Sequence, residues 1–271
     1  MVLAGGGDDR VQADDADVPA GVLGYRAEPA ADDPASDRLD GGPGRDTVTW
    51  ARRRDGIRLD LQAGRGGTGG EVDRLVGFEV VHGSAGPDRL AGTDGPDDLR
   101  GLAGDDVLLG RGGDDVLRPA EQPDYGPRQD RDERDVVRAG PGADRVLGVG
   151  PGPLSCGTGA DIVDWRYRGG VALLPRDCEG VQLAVDFGTR FVELTPARRR
   201  VGGRLALAVR CPMRAGCRLR VTLRGRPHRF ALPFGRSRVR VPVRRPGRVR
   251  LDLRVSPDGN WETTRIAVDV R

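Results

Sequence analysis

Residues 83–118 read GSAGPDRLA, GTDGPDDLR, GLAGDDVLL and GRGGDDVLR, four nonapeptides in one unbroken phase. Every copy has glycine at positions one and four, aspartate at position six and leucine at position eight. The position-six aspartates are Asp88, Asp97, Asp106 and Asp115, and the position-four glycines are Gly86, Gly95, Gly104 and Gly113. A period this strict indicates a stacked repeat architecture rather than one ordinary hydrophobic core.

Each fixed position of the nonapeptide has a physical reason. Glycine permits positive φ angles and close approach of backbones, so the first six residues of a copy can form a tight turn. The last three residues can form a short strand whose leucine points into the stack. Because a coil of two copies cannot bury its leucines alone, stacking must stabilise the structure. We therefore predict an all-β fold that contains a parallel β-roll, or β-solenoid.

The repeated aspartates predict a metal site. Stacked copies place one carboxylate above the next, and like charges at close range are costly unless a cation lies between them. Ligands that are all oxygen atoms favour Ca²⁺. The competing interpretation is that glycine and aspartate form ordinary surface turns or a disordered low-complexity segment. A fixed phase with an apolar residue in every copy argues against that interpretation.

Fragments of the same pattern extend beyond the four copies on both sides. They add five acidic candidate ligands: Glu79, which lies nine residues before Asp88, and Asp9, Asp46, Asp144 and Asp161, which lie in separate fragments. Residues 119–135 break the phase and are rich in charge and proline, so we expect an exposed, irregular insertion near these positions.

The four in-phase copies resemble the hemolysin-type, or repeat-in-toxin (RTX), calcium-binding proteins. The resemblance implies Ca²⁺ between successive turns, held by position-six aspartates and by backbone carbonyls of the glycine turns. It pairs residues 18 positions apart: Glu79 with Asp97, Asp88 with Asp106, and Asp97 with Asp115. The chain departs from the family at position two, where Ser84, Thr93, Leu102 and Arg111 replace the usual second glycine, and at position five, where Pro87 and Pro96 occur.

The distribution of charge suggests two domains with separate roles. Residues 1–188 contain 36 acidic residues and 22 arginines, a net charge of −14, whereas residues 189–271 contain 5 acidic residues and 22 arginines, a net charge of +17. Apolar residues alternate with arginine at 204–210, 219–223, 239–243, 249–255 and 266–270, which predicts half-buried antiparallel strands. We expect residues 189–271 to form a small immunoglobulin-like β-sandwich after the calcium-binding roll of residues 1–188.

The four cysteines form two local pairs, Cys156 with Cys178 and Cys211 with Cys217. An even count at short separations favours disulfides in an oxidising compartment, and the zinc alternative lacks CxxC spacing or neighbouring histidines. Residues 155–181 also resemble the terminal unit of related repeat proteins, which implies that Cys156 and Cys178 staple and cap the last coil.

These observations favour a secreted, extracellular calcium-binding protein with a structural or adhesive role. HExxH, GxSxG and P-loop motifs are absent from the sequence, so we do not expect an enzyme. Two alternatives stay open: the chain is the carboxy-terminal part of a larger secreted enzyme, or the basic domain binds anionic cell-surface polymers. The arginines can equally be a solvated face, and with few aromatic residues we expect no nucleic-acid partner.

The amino terminus has no basic and apolar leader segment, and no apolar run is long enough to span a bilayer. Because residues 4–11 already read as a repeat unit, we expect that Met1 is an internal start and that a signal peptide lies upstream.

Overall fold

The computed structural model describes residues 2–3, 7, 10–12, 37–68, 72–120, 134–148, 152–164, 172–173, 175–186, 190–197, 199–256 and 262–271. Within these ranges all regular secondary structure is β-strand, and none of the described residues lies in a helix. The all-β prediction is therefore confirmed. Glycine and proline are abundant and disfavour helix, which accounts for this outcome.

The chain divides into two compact units. The first contains residues 1–122 and 128–159, and the second contains residues 123–127 and 160–271. The net charge changes sign later, after residue 188. The assignment of a calcium-binding domain and a basic domain to either side of residue 188 stays a prediction.

One sheet of the first unit has the strand order β1-β3-β7-β6-β5-β9-β11-β13-β15. All neighbours in it pair in parallel, except that β6 pairs antiparallel with β5 and with β7. Its strands are β1 (Val2–Leu3), β3 (Arg38–Asp40), β5 (Arg58–Asp60), β6 (Arg65–Gly67), β7 (Asp73–Val76), β9 (Arg89–Ala91), β11 (Val107–Leu109), β13 (Val136–Pro141) and β15 (Leu154–Thr158).

Other strands of the first unit follow the order β2-β4-β8-β10-β12-β14, with every neighbouring pair parallel. They are β2 (Arg10–Gln12), β4 (Thr47–Thr49), β8 (Val80–His82), β10 (Asp98–Leu102), β12 (Val116–Ala120) and β14 (Arg145–Leu147). Successive nonapeptides therefore contribute strands alternately to two sets.

The position-eight leucines form the core of the four copies. Leu90 lies opposite Leu108, and Leu99 lies opposite Leu117, so neighbouring strands are offset by 18 residues. All four side chains are fully buried. Paired strands are therefore two nonapeptides apart, and we call a segment of two nonapeptides a coil.

The phase break is narrower than the sequence suggests. Pro119 and Ala120 still belong to β12, and Asp135 directly precedes β13. Beyond the break the register continues, with Val137 opposite Leu108 and Val146 opposite Leu117. The expected insertion otherwise falls on residues 121–133, which lie outside the described ranges.

The second unit contains two groups of strands, ordered β16-β18-β19-β20-β23 and β17-β25-β24-β21-β22. Pairs β16–β18 and β17–β25 are parallel, and the other neighbours are antiparallel. The strands are β16 (Ile162–Asp164), β17 (Ala172–Leu173), β18 (Gly180–Asp186), β19 (Arg190–Pro196), β20 (Arg204–Cys211), β21 (Cys217–Leu223), β22 (Arg226–Leu232), β23 (Gly235–Pro242), β24 (Gly247–Ser256) and β25 (Glu262–Val270).

The alternating segments of the basic region are strands, as predicted. In β20, Leu205, Leu207 and Val209 are buried, and Arg204 and Arg210 are exposed. The predicted segments do not include β19 or β22, and the mostly exposed sequence RPHRFAL of β22 has no regular apolar alternation.

All four cysteines are disulfide-bonded. Cys211 bonds Cys217, with their Cα atoms 6.0 Å apart, and Cys156 and Cys178 are likewise disulfide-bonded and fully buried. The disulfide interpretation is confirmed over the zinc alternative.

Replacing Leu108 by Ala should lower the free energy of unfolding by about 2–5 kcal/mol, because the cavity left between two coils cannot refill. Leu109 is half-buried and points to the opposite face, so Leu109→Ala is a matched control, expected to cost less than about 1 kcal/mol. Urea denaturation measures both values. Equal losses would contradict the assignment of Leu108 to the core.

The free energy of unfolding should depend on pH through the protonation of His82. This residue lies in β8 between Thr49 and Arg100 of the neighbouring strands. Burial, followed by the charge of Arg100, lowers the pKa of His82 to about 4. Since an unfolded histidine titrates near about 6.5, the unfolded chain binds this proton first, and stability is lost as pH falls from about 6.5 to 4. His82→Gln should lose less stability over that range in urea denaturation. Parallel curves for the two proteins would refute this role.

Candidate metal sites

A row of carboxylates lies immediately before the strands β4, β8, β10, β12 and β14. The backbone N–H of Asp97 donates to Asp115 Oδ1 at 2.8 Å, and that of Asp115 donates to Asp144 Oδ1 at 2.9 Å. At the other end, the N–H of Asp46 donates to Glu79 Oε2 at 3.0 Å. The structure therefore places these five predicted ligands in one row. Within it, the carboxylates of Glu79, Asp115 and Asp144 each accept the backbone N–H of the preceding acidic residue named above.

A second row precedes the strands of the other sheet of the first unit. The N–H of Asp88 donates to Asp106 Oδ1 at 2.8 Å, and that of Asp106 donates to Asp135 Oδ1 at 3.0 Å. The row begins at Ile57, whose N–H donates to Asp88 Oδ1 at 2.8 Å. Asp88 and Asp106 were predicted, and Asp135 was not.

Three further acidic residues that sequence reasoning missed make the same kind of bond. Besides Asp135, Asp73 accepts the N–H of Asp37, and Glu179 accepts the N–H of Asp161, both at 3.0 Å. Each lies two residues before a buried leucine or valine, as Asp88 lies two residues before Leu90. A search of the sequence for an acidic residue two positions before leucine or valine, without requiring the glycines, could have found them. Asp9 lies outside the described residues.

The rows are buried, which makes charge on them costly. Asp106 and Asp144 are fully buried, and Asp115 is 1 % exposed. Burial, with the nearby carboxylates of Asp144 and Asp97 adding to it, raises the pKa of Asp115 to about 7. Burial also raises the pKa values of Asp88, Asp97 and Asp144. Burial favours the protonated form of a carboxylate, and a cation that binds the carboxylate displaces this proton.

Oxygen atoms converge beside the position-one glycines. A Cβ atom added to any of the four would lie under 3.0 Å from the aspartate oxygen of its own copy and from a carbonyl oxygen of the next coil. These oxygen pairs are Asp88 with Gly101, Asp97 with Gly110, Asp106 with Pro119, and Asp115 with Ala139. Carboxylate and carbonyl oxygens are the ligands that Ca²⁺ takes, at about 2.3–2.6 Å, so the donor set fits this ion.

The position-four glycines stack as well. A Cβ atom on Gly104 would lie 2.8 Å from the carbonyl oxygen of Gly86, and one on Gly113 would lie 2.5 Å from that of Gly95. Gly104 and Gly113 have φ angles of 114° and 100°, which favour glycine. The four glycines whose carbonyls are predicted ligands therefore lie in turns that contact each other between neighbouring coils, Gly104 against Gly86 and Gly113 against Gly95.

Asp115 has a carboxylate oxygen without a hydrogen-bond donor in the described part of the chain. Oδ2 of Asp115 is buried and accepts no hydrogen bond, although Oδ1 of the same group does. A buried acceptor without a donor costs about 1–3 kcal/mol, more when it is charged. A bound cation would remove this cost.

Side chains alone do not form a metal site within the described ranges: no three histidine, cysteine, aspartate or glutamate side chains converge on one point. Coordination along these rows would therefore depend on backbone carbonyls as much as on carboxylates. No helix that could cross a membrane occurs among the residues that the structure describes.

Comparison with known families agrees with this geometry. The model of the RTX calcium-binding nonapeptide repeat matches the chain in four copies, over residues 33–49 and 82–117. These residues include Asp46 and the four consecutive turns. No curated protein matches the chain. The chain therefore carries RTX calcium-binding nonapeptide repeats, a class of repeat that implies calcium binding.

Proposed function

We propose that the acidic part of this chain, up to residue 188, is a calcium-binding parallel β-roll of a secreted protein. The offset of 18 residues between parallel neighbours supports the roll, since it makes each coil from two nonapeptides. The observation that carries the calcium assignment is the buried carboxylate of Asp115, with a raised pKa and one oxygen that lacks a donor.

Calcium would supply two positive charges at the points where carboxylate and carbonyl oxygens converge. Asp106 and Asp115 face the carbonyls of Pro119 and Ala139 there, and Asp135 and Asp144 follow in the next coil. Glu79, Asp88 and Asp97 extend the rows toward the amino terminus, as Asp46 does. We infer that neutralising these carboxylates stabilises the stacked coils, so that folding of the roll depends on calcium.

The extracellular role is inferred from two features. The four cysteines are disulfide-bonded, which suits an oxidising compartment, and the repeats are of a type that is typical of secreted proteins. We propose a structural or adhesive role for the protein and an immunoglobulin-like sandwich for its basic part. Buried apolar residues alternating with exposed arginines in β20, β23 and β24 support the sandwich.

Calcium should increase the far-ultraviolet β signal and the melting temperature of the full chain. We expect half-saturation at about 10⁻⁴ to 10⁻³ M, the range of extracellular calcium modules. Asp115→Asn should weaken the response at least about tenfold, because a ligand charge is lost. In excess chelator the same variant should be no less stable than the parent, since a buried charge is removed.

Asp55 is exposed and makes the matched control, because Asp55→Asn removes a carboxylate from the same region outside the rows. Circular dichroism in chelator and in 10 mM calcium compares the three proteins. An Asp115→Asn protein with an unchanged calcium response would contradict the assignment.

The register of the basic strands favours a second candidate, binding of anionic cell-surface polymers. Arg220 lies directly opposite Arg229 and Arg254 on neighbouring strands. Like charges in this arrangement destabilise a sheet, and a bound polyanion would relieve the repulsion. Arg229 and Arg254 are exposed.

On immobilised heparin, the full chain should therefore be retained and should elute with salt. Replacing Arg229 and Arg254 by Ala should lower the eluting salt concentration more than replacing Arg244 and Arg245, an exposed pair outside this row. Equal shifts would point to net charge alone and would exclude this surface as a specific site.

A further inference from the structure

The four consecutive turns fall into two chemical classes. The turns of residues 83–88 and 92–97 have a hydroxyl residue at position two and proline at position five. Those of residues 101–106 and 110–115 have leucine or arginine at position two and aspartate at position five. We call these the hydroxyl turns and the open turns.

In the first hydroxyl turn, Ser84 occupies the space between the predicted ligands. Its N–H donates to Asp88 Oδ2 at 2.6 Å and its hydroxyl donates to Asp88 Oδ1 at 2.7 Å, with the carbonyl oxygen of Gly86 3.3 Å from the same hydroxyl. The hydroxyl oxygen also accepts the N–H of Gly86 at 3.1 Å. Ser84 is fully buried, so these bonds are not exchanged for bonds to water.

Thr93 repeats this arrangement in the second hydroxyl turn. Its N–H and hydroxyl donate to Asp97 Oδ2 at 2.6 and 3.0 Å, and its hydroxyl lies 3.4 Å from the carbonyl oxygen of Gly95. The N–H of Gly95 donates back to the hydroxyl at 3.0 Å. In both hydroxyl turns, the position-four carbonyl and the position-six carboxylate thus face one hydroxyl group.

The open turns have a different backbone and no such group. Leu102 and Arg111, at position two, have φ angles of 80° and 76°, and no hydroxyl is available there. The Arg111 guanidinium donates to both oxygens of Asp60 at 2.7 and 2.8 Å and to the carbonyl oxygen of Gly92 at 2.7 Å. Asp115, in the same turn, has the carboxylate oxygen that lacks a donor among the described residues.

A non-glycine residue at positive φ is strained, so the open turns need further stabilisation. The hydroxyl turns carry no positive φ at position two among the described residues, and their carboxylates accept two or three hydrogen bonds each. The two classes therefore differ in backbone strain. Among the described residues Asp115 accepts one hydrogen bond, whereas Asp88 accepts three and Asp97 accepts two.

We propose that Ser84 and Thr93 take the place of a cation in the hydroxyl turns, so that calcium orders the open turns selectively. This inference rests on the calcium-binding function proposed above and narrows it. The occupied positions lie between Asp106 and the coil of Asp135, and between Asp115 and the coil of Asp144. The turns of residues 83–88 and 92–97 are formed without metal and serve as a template on which the open turns stack.

Amide hydrogen exchange of the full chain, with and without 10 mM calcium, tests this inference at peptide resolution. Amides of residues 102–106 and 111–115 should exchange about tenfold more slowly with calcium, as mass action gives for a dissociation constant of about 1 mM. Amides of residues 84–88 and 93–97 should change less than about twofold. Equal protection of all four turns would overturn the inference while leaving calcium binding intact. Absence of any calcium effect would overturn both.

Removing the two hydroxyls should convert the hydroxyl turns into calcium-responsive ones. In the double variant Ser84→Ala and Thr93→Val, residues 84–88 and 93–97 should gain calcium-dependent protection. Ser237→Ala with Thr222→Val removes two hydroxyls from the second unit and is the matched control, expected to leave the exchange pattern unchanged. A double variant whose first two turns stay insensitive to calcium would contradict the inference. If that variant does not fold, the exchange of the unmodified chain decides alone.

Discussion

The interaction on which this structure depends is made by the buried carboxylate immediately before each strand of the four nonapeptides. One oxygen accepts the backbone amide of the preceding coil, and the other faces a carbonyl of the following coil, as at Asp115. The first contact fixes the register between coils. The second places two acceptors near one another with no hydrogen-bond donor to Oδ2 of Asp115 among the described residues, and a hard cation suits that arrangement.

The hydrophobic part of the repeat is small, so these electrostatic interactions make a comparatively large contribution to the stability of the stacked coils. Each of the four nonapeptides buries its position-eight leucine in a strand of three to five residues, and a single coil cannot cover these leucines alone. Each coil therefore adds little buried apolar surface to such a core. Whatever neutralises the carboxylates between coils therefore contributes directly to stacking, whether a cation or a hydroxyl group does it.

Sequence reasoning predicted the features that the repeat makes periodic. The phase fixed the buried leucines, the offset of 18 residues and the position of the aspartates, because every copy repeats the same physical requirement. It missed Asp135, since the glycines before it are absent and only the acidic residue two positions before Val137 remains. It also missed the roles of Ser84 and Thr93, because a hydroxyl in place of glycine reads as a departure from a pattern until its hydrogen bonds are known. In the basic part, alternation predicted β20, β21, β23, β24 and β25 but neither β19 nor the mostly exposed strand β22.

Isothermal titration calorimetry of the full chain with Ca²⁺ tests the central claim most directly, with Mg²⁺ as the comparison ion. The account predicts a saturable heat for calcium with a dissociation constant of about 10⁻⁴ to 10⁻³ M, and a much weaker response to magnesium, which demands a rigid octahedral shell. A titration without saturable heat, or one in which both ions behave alike, would contradict it.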